Sequence, residues 1–251
     1  MSPVATWPAF TTKLRSRQEV AEGTMAFRLE KPANWAFKAG QFVDLTLINP
    51  PETDAEGNTR GFSIASAPHE EFVMVTTRMR GTAFKRALRD LPLDTPVKAE
   101  GPFGNLTLHN NVGRPAVLLA GGIGITPFRS IVFSAAKEKL KHRIFLFYAN
   151  RRPEDAAFLD ELQVFESENP DYKCIPTMTE GDKSKRPWPG AVGLIGYELI
   201  SKYLKTVPPP AVYTAIYYIA GPPGMVGDLR TMLTNSGVDD DDIRAEEFTG
   251  Y

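Results

Sequence analysis

The sequence predicts two domains, an antiparallel β-barrel carrying one short helix, followed by a doubly wound α/β unit with a parallel sheet. Three observations predict them. Up to about His109 the apolar runs are short and broken by turn residues. From about Gly113 onward, continuous apolar runs alternate with stretches of helical spacing. A glycine-rich turn joins the first of those apolar runs to the first of those helices. The boundary falls near Asn110–Gly113, giving units 1–111 and 112–251.

In the first half, Gln41 to Ile48 alternates apolar and polar residues, as a half-buried strand does. Glu71 to Arg78 and Pro96 to Glu100 read the same way. Turn residues such as Gly40, Pro50-Pro51, Gly57, Gly81 and Gly101-Pro102 separate them. Short strands at close spacing point to a barrel or sandwich. Thr82 to Leu91 breaks the pattern. Its apolar residues Phe84, Ala87, Leu88 and Leu91 have helical spacing.

In the second half, Pro115 to Ala120 is apolar throughout, as a strand buried on both faces is. A helix is expected over Pro127 to Leu140, then a strand over Arg143 to Ala149. Helix Pro153 to Glu166, strand Tyr172 to Met178, helix Tyr197 to Leu204, strand Tyr217 to Ala220 and helix Met225 to Asn235 complete the alternation. Such alternation builds βαβ units with helices on both faces of a parallel sheet.

The chain has 251 residues, 42% hydrophobic and 24% charged, enough to bury a core without staples. Its net charge of −1 gives no reason to expect nucleic acid as the main partner. No apolar run approaches the length of a membrane span of about 20 residues. Met1 to Phe10 lacks the basic-then-apolar pattern of a signal peptide, so a cytoplasmic location is expected; a monomer is expected as well. A single cysteine, Cys174, holds neither a disulfide nor an iron–sulfur cluster within this chain. It reads as a buried packing residue. The acidic run Asp239 to Asp242 reads as a solvated turn. The basic stretch Lys137 to Arg143 reads as a helix end whose cations suit the macrodipole.

Three segments carry candidate chemistry. Gly121-Gly122-Ile123-Gly124-Ile125-Thr126-Pro127 links a strand to a helix. Glycines permit close backbone approach, and a helix start offers free N–H groups to a pyrophosphate. The spacing is not the strict dinucleotide fingerprint, and a plain tight turn is the alternative. Ala220-Gly221-Pro222-Pro223-Gly224-Met225 is a second turn at the carboxyl end of a strand, where open α/β sheets place ligands. Arg60-Gly61-Phe62-Ser63-Ile64-Ala65-Ser66 combines a phosphate-pairing guanidinium, an aromatic face and small hydroxyls. An ordinary strand with Arg and Ser facing water is the alternative there.

With these segments in order, the chain resembles the ferredoxin–NADP reductase family of flavoenzymes over nearly its whole length. Arg60–Ser63 is similar to its flavin signature and Gly101–Gly104 (GPFG) to its domain junction. Gly121–Pro127 is similar to its nicotinamide-nucleotide loop, Ala220–Met225 to its C-G-P-x-x-M segment, and Glu246–Phe248 to its acidic–aromatic ending.

The resemblance implies a six-stranded barrel for FAD and a five-stranded parallel sheet for NAD(P)H. It implies that Arg60 holds the FAD pyrophosphate, that Phe62 stacks on the isoalloxazine and that Ser63 bonds near its hydride-accepting atom. Gly61 and Thr76 join the FAD site, and Gly81, Thr82 and Ala83 present N–H groups to the same pyrophosphate. Gly121, Gly122, Gly124, Ile125 and Thr126, with Gly221, Pro222 and Met225, take the NAD(P)H. Glu246 or Glu247 lies near the nicotinamide, and Phe248 or Tyr251 near the flavin. Ser63, Glu246 and Glu247 are the expected catalytic residues. Ala220 departs from the family, standing where many relatives have cysteine. Phe62 replaces the commoner tyrosine.

The implied activity is hydride transfer from NAD(P)H to FAD, then electron transfer to a carrier such as ferredoxin or flavodoxin. A small acceptor (free flavin, quinone or ferric chelate) is the alternative. So is an electron-transfer subunit of a larger complex, although such relatives carry a cysteine cluster that this chain lacks. Arg151 and Arg152, at the expected end of the second parallel strand, suit the 2′-phosphate of NADPH. Glu180, after the third strand, favours NADH instead. Lys183, Lys185 and Arg186 lie just beyond it. Weak discrimination is the expectation.

Overall fold

In the computed structural model, residues 8–205, 207 and 211–249 are described. Tyr251 and the segment 1–7 lie outside them, and with Tyr251 goes one of the two aromatic rings expected at the flavin.

The first half is an antiparallel six-stranded sheet. Its strands are β1 (Ala9–Ala21), β2 (Thr24–Glu30), β3 (Phe42–Leu47), β4 (Thr59–Ser63), β5 (Phe72–Arg78) and β6 (Pro96–Phe103), in the order β4-β3-β6-β1-β2-β5. The two ends of that order meet just past β4. Ile64 bridges Val75, and the Ala65 N–H donates to Met74 O at 2.7 Å, so the sheet curls into a barrel. Inward residues Leu14, Phe27, Leu29, Val43, Leu45 and Val97 alternate with outward polar ones and fill the interior. Helix α1 (Ala83–Asp90) plugs one end with Phe84 and Leu88.

The long hairpin β1–β2 is not evident from apolar alternation. Of the thirteen residues in β1 only Thr12 and Leu14 are buried. Its partners hold it instead, through register with β2 on one edge and β6 on the other.

The second half is a parallel sheet of β7 (Ala116–Gly121), β8 (Ile144–Asn150), β9 (Tyr172–Met178), β10 (Ala191–Val192), β11 (Ile216–Gly221) and β12 (Ile243–Glu247). The order is β10-β9-β8-β7-β11-β12. It has six strands where five are implied by the resemblance, because the two-residue β10 adds an edge beside β9. All six residues of β7 and of β11 are buried. Leu118 and Ala120 face α2 (Ile125–Lys137) and α3 (Leu159–Glu168), whereas Val117 and Leu119 face α4 (Tyr197–Leu204) and α5 (Pro223–Asn235). Strands sandwiched this way need apolar residues at every position, hence the unbroken runs.

Two helices depart from expectation. Helix α2 begins two residues earlier than Pro127 and stops at Lys137, and Lys139 adopts φ +53°. The stretch Pro153–Glu166 is not one helix. A single 3-10 turn at Pro153–Asp155 is followed by Phe158 at φ +62°, and α3 starts only at Leu159. A left-handed non-glycine residue interrupts any α-helix. The interrupted segment contacts the barrel, with the Glu22 N–H donating to Glu154 O at 2.8 Å.

The strand order reverses between β7 and β11. Both glycine-rich turns therefore leave the carboxyl edge at the topological switch point, where an open α/β sheet forms its binding crevice. The two halves share packing across this region, since Ala67 and Leu106 belong to the same apolar cluster as Phe128 and Ile131 of α2.

Candidate functional site

A cleft of about 340 Å³ lies where the barrel meets the crevice. The barrel contributes Arg60, Gly61, Phe62, Ser63, Thr76, Thr82 and Lys85. The second half contributes Ile123, Thr126, Phe248 and Thr249. The structure thus brings three of the five sequence motifs, Arg60–Ser63, Gly121–Pro127 and Glu246–Phe248, onto one cavity.

Strand β4 delivers Phe62 and Ser63, both nearly buried, to the floor. The Phe62 ring lies 5.9 Å from that of Phe84 in α1, tilted by 34°. Thr76 comes from β5 across the barrel closure. It is 4% exposed, and its Oγ1 has no hydrogen-bond partner. A buried hydroxyl left unpaired costs about 1–3 kcal/mol, so an orphan lining a cavity marks where a polar ligand atom fits.

The start of α1 forms one wall. Thr82 caps it, its hydroxyl accepting from the Lys85 N–H at 3.4 Å. Gly81 and Ala83 flank the cap without lining the cavity, and the Gly81 carbonyl accepts from Arg86. Lys85 was not anticipated from the sequence. Burial, then Arg80 and Arg60, push its ammonium below the usual lysine range. Two cations that line the cleft beside this helix start, Arg60 and Lys85, suit a diphosphate. The signal for Lys85 is its place three residues past the capping threonine.

Arg60 does not reach freely into the cleft. Its Nη2 pairs with Asp54 at 2.7 Å and its Nε with Glu56 at 3.0 Å, while Nη1 donates to the carbonyls of Glu56, Gly57 and Thr59. It also covers the Phe84 ring at 5.2 Å. Any phosphate contact exchanges some of these bonds for new ones.

In the second half the glycines serve packing first. A Cβ on Gly124 would sit 2.1 Å from the Ala220 carbonyl oxygen, and one on Gly121 would sit 2.2 Å from Met225 Sδ. Gly221 also lies close, its missing Cβ 3.3 Å from the Gly121 backbone. The two turns are pressed together, and glycine is what permits it. Gly122, at φ +51°, makes the bend itself. Ile125 offers a ligand neither side chain nor N–H, since it is fully buried and its N–H is bonded to Gly122 O and Ile123 O. Thr126 Oγ1 donates to Ile123 O at 3.0 Å and lines the cavity. Pro222 caps α5 without a side-chain bond.

The structure separates the two glutamates of β12. Glu246 turns toward the barrel, with Oε1 3.3 Å from where a Gly104 Cβ would stand, and burial pushes its carboxyl up to about 7. Glu247 is exposed. Phe248 donates its N–H to Gly221 O at 2.9 Å, which sets its ring at the cavity.

The arginines at the end of β8 are also distinct. Arg152 pairs with Asp155 at 2.9 Å and with Glu22 of the barrel hairpin at 3.2 Å, so it serves the contact between halves. Arg151 is exposed and has no carboxylate partner among the described residues. Its carbonyl accepts from the Glu180 N–H at 2.8 Å, which places that acidic residue alongside. Lys183, Lys185 and Arg186 pair with Glu180, Glu22 and Asp160.

Cys174 is buried and its thiol is pushed up to about 12 by burial, as a packing residue. Among the described residues no cluster of metal-ligating side chains occurs, and no helix is long and apolar enough to cross a membrane.

Residues 118–231 match the family described as the oxidoreductase NAD-binding domain. One subunit of the Na(+)-translocating NADH-quinone reductase of Methylococcus capsulatus is 28% identical over 204 residues, covering 76% of this chain and 49% of that protein. The reductase component 2 of terephthalate 1,2-dioxygenase from Comamonas sp is 24% identical over 243 residues, covering 95% of this chain and 68% of its own length. The chain thus spans about half to two-thirds of the length of these relatives. Among solved structures, a cytochrome P450 reductase from Amycolatopsis superposes with TM-score 0.78 at 22% identity, covering 98% of this chain and 72% of that one. A ferredoxin NADP+ reductase from Neisseria gonorrhoeae, with bound FAD and NADP, superposes with TM-score 0.75 at 20% identity, covering 95% and 98%.

Proposed function

We propose that this chain, which has the two-domain fold of the ferredoxin–NADP reductase-like flavoenzymes and an oxidoreductase NAD-binding domain over residues 118–231, is an FAD-dependent NAD(P)H oxidoreductase. One observation carries the reading. The strand Arg60–Ser63, the start of α1, the Ile123–Thr126 turn and Phe248 all line one cavity. Residues 1–111 would serve FAD and residues 112–251 the nicotinamide nucleotide.

The cavity fits the flavin by its chemistry. Arg60 and Lys85 are suited to the diphosphate, and the unpaired Thr76 hydroxyl to a polar ring or ribitol atom. When bound, FAD supplies two-electron acceptance from NAD(P)H and one-electron release to a carrier.

The protein residues bind, orient and exclude water. Phe62 and Phe248 enclose the ring system, and Ser63 offers it a buried hydroxyl. Thr126 and the turn around Gly122 orient the nicotinamide against that wall. Ala220 is fully buried, so its methyl packs within the fold and offers the nicotinamide no surface. Glu246, with its carboxyl near 7, holds or releases a proton at neutral pH. Arg151 and Glu180, adjacent through the bond from Glu180 N–H to Arg151 O, would read the adenosine ribose, one favouring the 2′-phosphate and the other the free hydroxyl.

The electron acceptor is a one-electron carrier protein such as a ferredoxin or flavodoxin. The relatives named as reductase components support this reading. The test is to denature the purified protein, identify the released flavin, and measure NAD(P)H oxidation with a ferredoxin, with free flavin and with a ferric chelate. FAD release with turnover strongest on the ferredoxin is expected. FMN alone, or no flavin bound on reconstitution, overturns the assignment.

A further inference from the structure

Helix α2 links the two walls of the cavity. Its first turn carries Thr126, which lines the cleft. Its next turn carries Arg129 and Ser130, which reach back into the barrel.

Arg129 is 3% exposed, and its guanidinium makes five hydrogen bonds. Nη1 donates to Ala65 O at 2.8 Å and to Glu70 at 2.9 Å, and Nη2 to Glu70 at 3.4 Å and to Glu161 at 2.8 Å. Nε completes a bidentate pair with Glu161 at 2.9 Å. The Phe133 ring covers it at 4.1 Å. Ser130, fully buried, donates its hydroxyl to Ser66 O at 2.7 Å. Glu70 is held in turn, accepting from the Ala67 N–H at 2.6 Å.

The two carbonyls so gripped, Ala65 O and Ser66 O, belong to the segment that immediately follows Ser63. One helical turn, about 5.4 Å of rise, therefore separates the nucleotide-facing residue Thr126 from the hooks that hold the flavin-facing strand. Helices and packed strands are stiff over that length, so these bonds tie the two walls of the cleft directly to each other.

We infer that Arg129 and Ser130 are positioning residues that set the distance between the flavin wall at Ser63 and the nucleotide wall at Thr126. The inference rests on the proposed function and adds to it the part of the chain that aligns the two reactants. Lysine in place of Arg129 keeps the charge but cannot make the planar, two-sided pairing. A misplacement of about 1 Å is enough to slow a positioned reaction by about 100-fold.

The experiment compares wild type with Arg129→Lys and Ser130→Ala, the second being a mild change that leaves the ion pairs intact. Hydrogen–deuterium exchange on the apoprotein reads the hooks directly. Amides over 64–75 should exchange at least about 10-fold faster in Arg129→Lys and measurably faster in Ser130→Ala, with β9 unchanged. On the flavin-loaded proteins, the limiting rate of flavin reduction should fall about 10- to 100-fold and about 3-fold respectively. Flavin content and the dissociation constant for NAD+ should stay within about 3-fold of wild type. Unchanged exchange over 64–75, or unchanged limiting rates, overturns the inference. So does a rate loss matched by loss of flavin or of NAD+ affinity. Failure of wild type itself to be reduced by NAD(P)H overturns the functional reading instead, and the exchange result then judges the hooks alone.

Discussion

Replacing Gly124 by alanine tests whether the two turns of the crevice are pressed together as described. The new Cβ would stand 2.1 Å from the Ala220 carbonyl oxygen, 2.4 Å from its carbon and 2.8 Å from the Gly221 nitrogen. All three are backbone atoms in a fully buried strand, so no side chain can swing aside. Ordinary contact distances are about 3.5 Å, so the turns must part by more than about 1 Å. Overpacking a tight site costs about 1–3 kcal/mol, and backbone on both sides places this case at about 3 kcal/mol. In a chain of this length each kcal/mol moves Tm by about 2–4 °C, so a fall of about 6–12 °C is expected in differential scanning calorimetry. Gly227 is the internal control. It lies inside α5 with nothing within 4 Å of an added Cβ. Gly227→Ala should stabilise by up to about 1 kcal/mol through helix propensity alone. A Gly124→Ala protein melting within about 2 °C of wild type would refute the packing argument.

Further outcomes follow from the site. Arg60→Ala should weaken FAD retention by about 2–4 kcal/mol, read by equilibrium dialysis of the flavin, and unchanged retention would show that the Asp54–Glu56 pairing is its only role. Ser63→Ala should keep FAD yet slow its reduction about 10- to 1000-fold in stopped flow, and a wild-type rate would remove the hydroxyl from the mechanism. Burial raises the Glu246 carboxyl to about 7, so the folded protein holds that proton more tightly than the unfolded chain. Its contribution is complete below the ordinary glutamate range and is lost as pH rises through about 7, so Glu246→Gln should match wild type near the acid end and be more stable at alkaline pH, by about 1–3 kcal/mol after solvent screening. Denaturant melts across that interval with no divergence would contradict the burial. Arg151→Ala should lower kcat/KM for NADPH and spare NADH, whereas Arg152→Ala, by loosening the pair with Glu22, should affect both donors alike. Wild type should discriminate between donors by less than about 100-fold, about 2.7 kcal/mol, and a sharper preference would show that Arg151 and Glu180 do not offset each other.

What the sequence disclosed follows from where side-chain identity is forced. Strands β7 and β11 are covered on both faces, so every residue is apolar and the elements stand out. Helix α1 is legible because Thr82 caps it and its buried residues repeat at helical spacing. Strand β1 is not, because pairing along both edges holds it and only two of its residues are buried. The break at Phe158 is equally silent, since a left-handed phenylalanine has no composition signal. At the site, motifs named segments that line the cavity but not the competition within them. Arg60 is engaged by Asp54 and Glu56, and Arg152 by Asp155 and Glu22, partners that only the fold brings near. Gly121 and Gly124 read as room for a ligand, yet their missing side chains are first required by Met225 and Ala220. Glu246 and Glu247 are neighbours in sequence, and strand alternation turns one toward the barrel and leaves the other exposed.

On the proposed function, one cavity brings FAD within reach of a nicotinamide nucleotide. Anaerobic titration of the FAD-loaded protein with NADH and with NADPH, followed by the flavin's visible absorbance, tests it most directly. Complete bleaching at about one equivalent of donor per flavin is expected. Bound FAD that stays oxidised with excess of both donors would contradict the account.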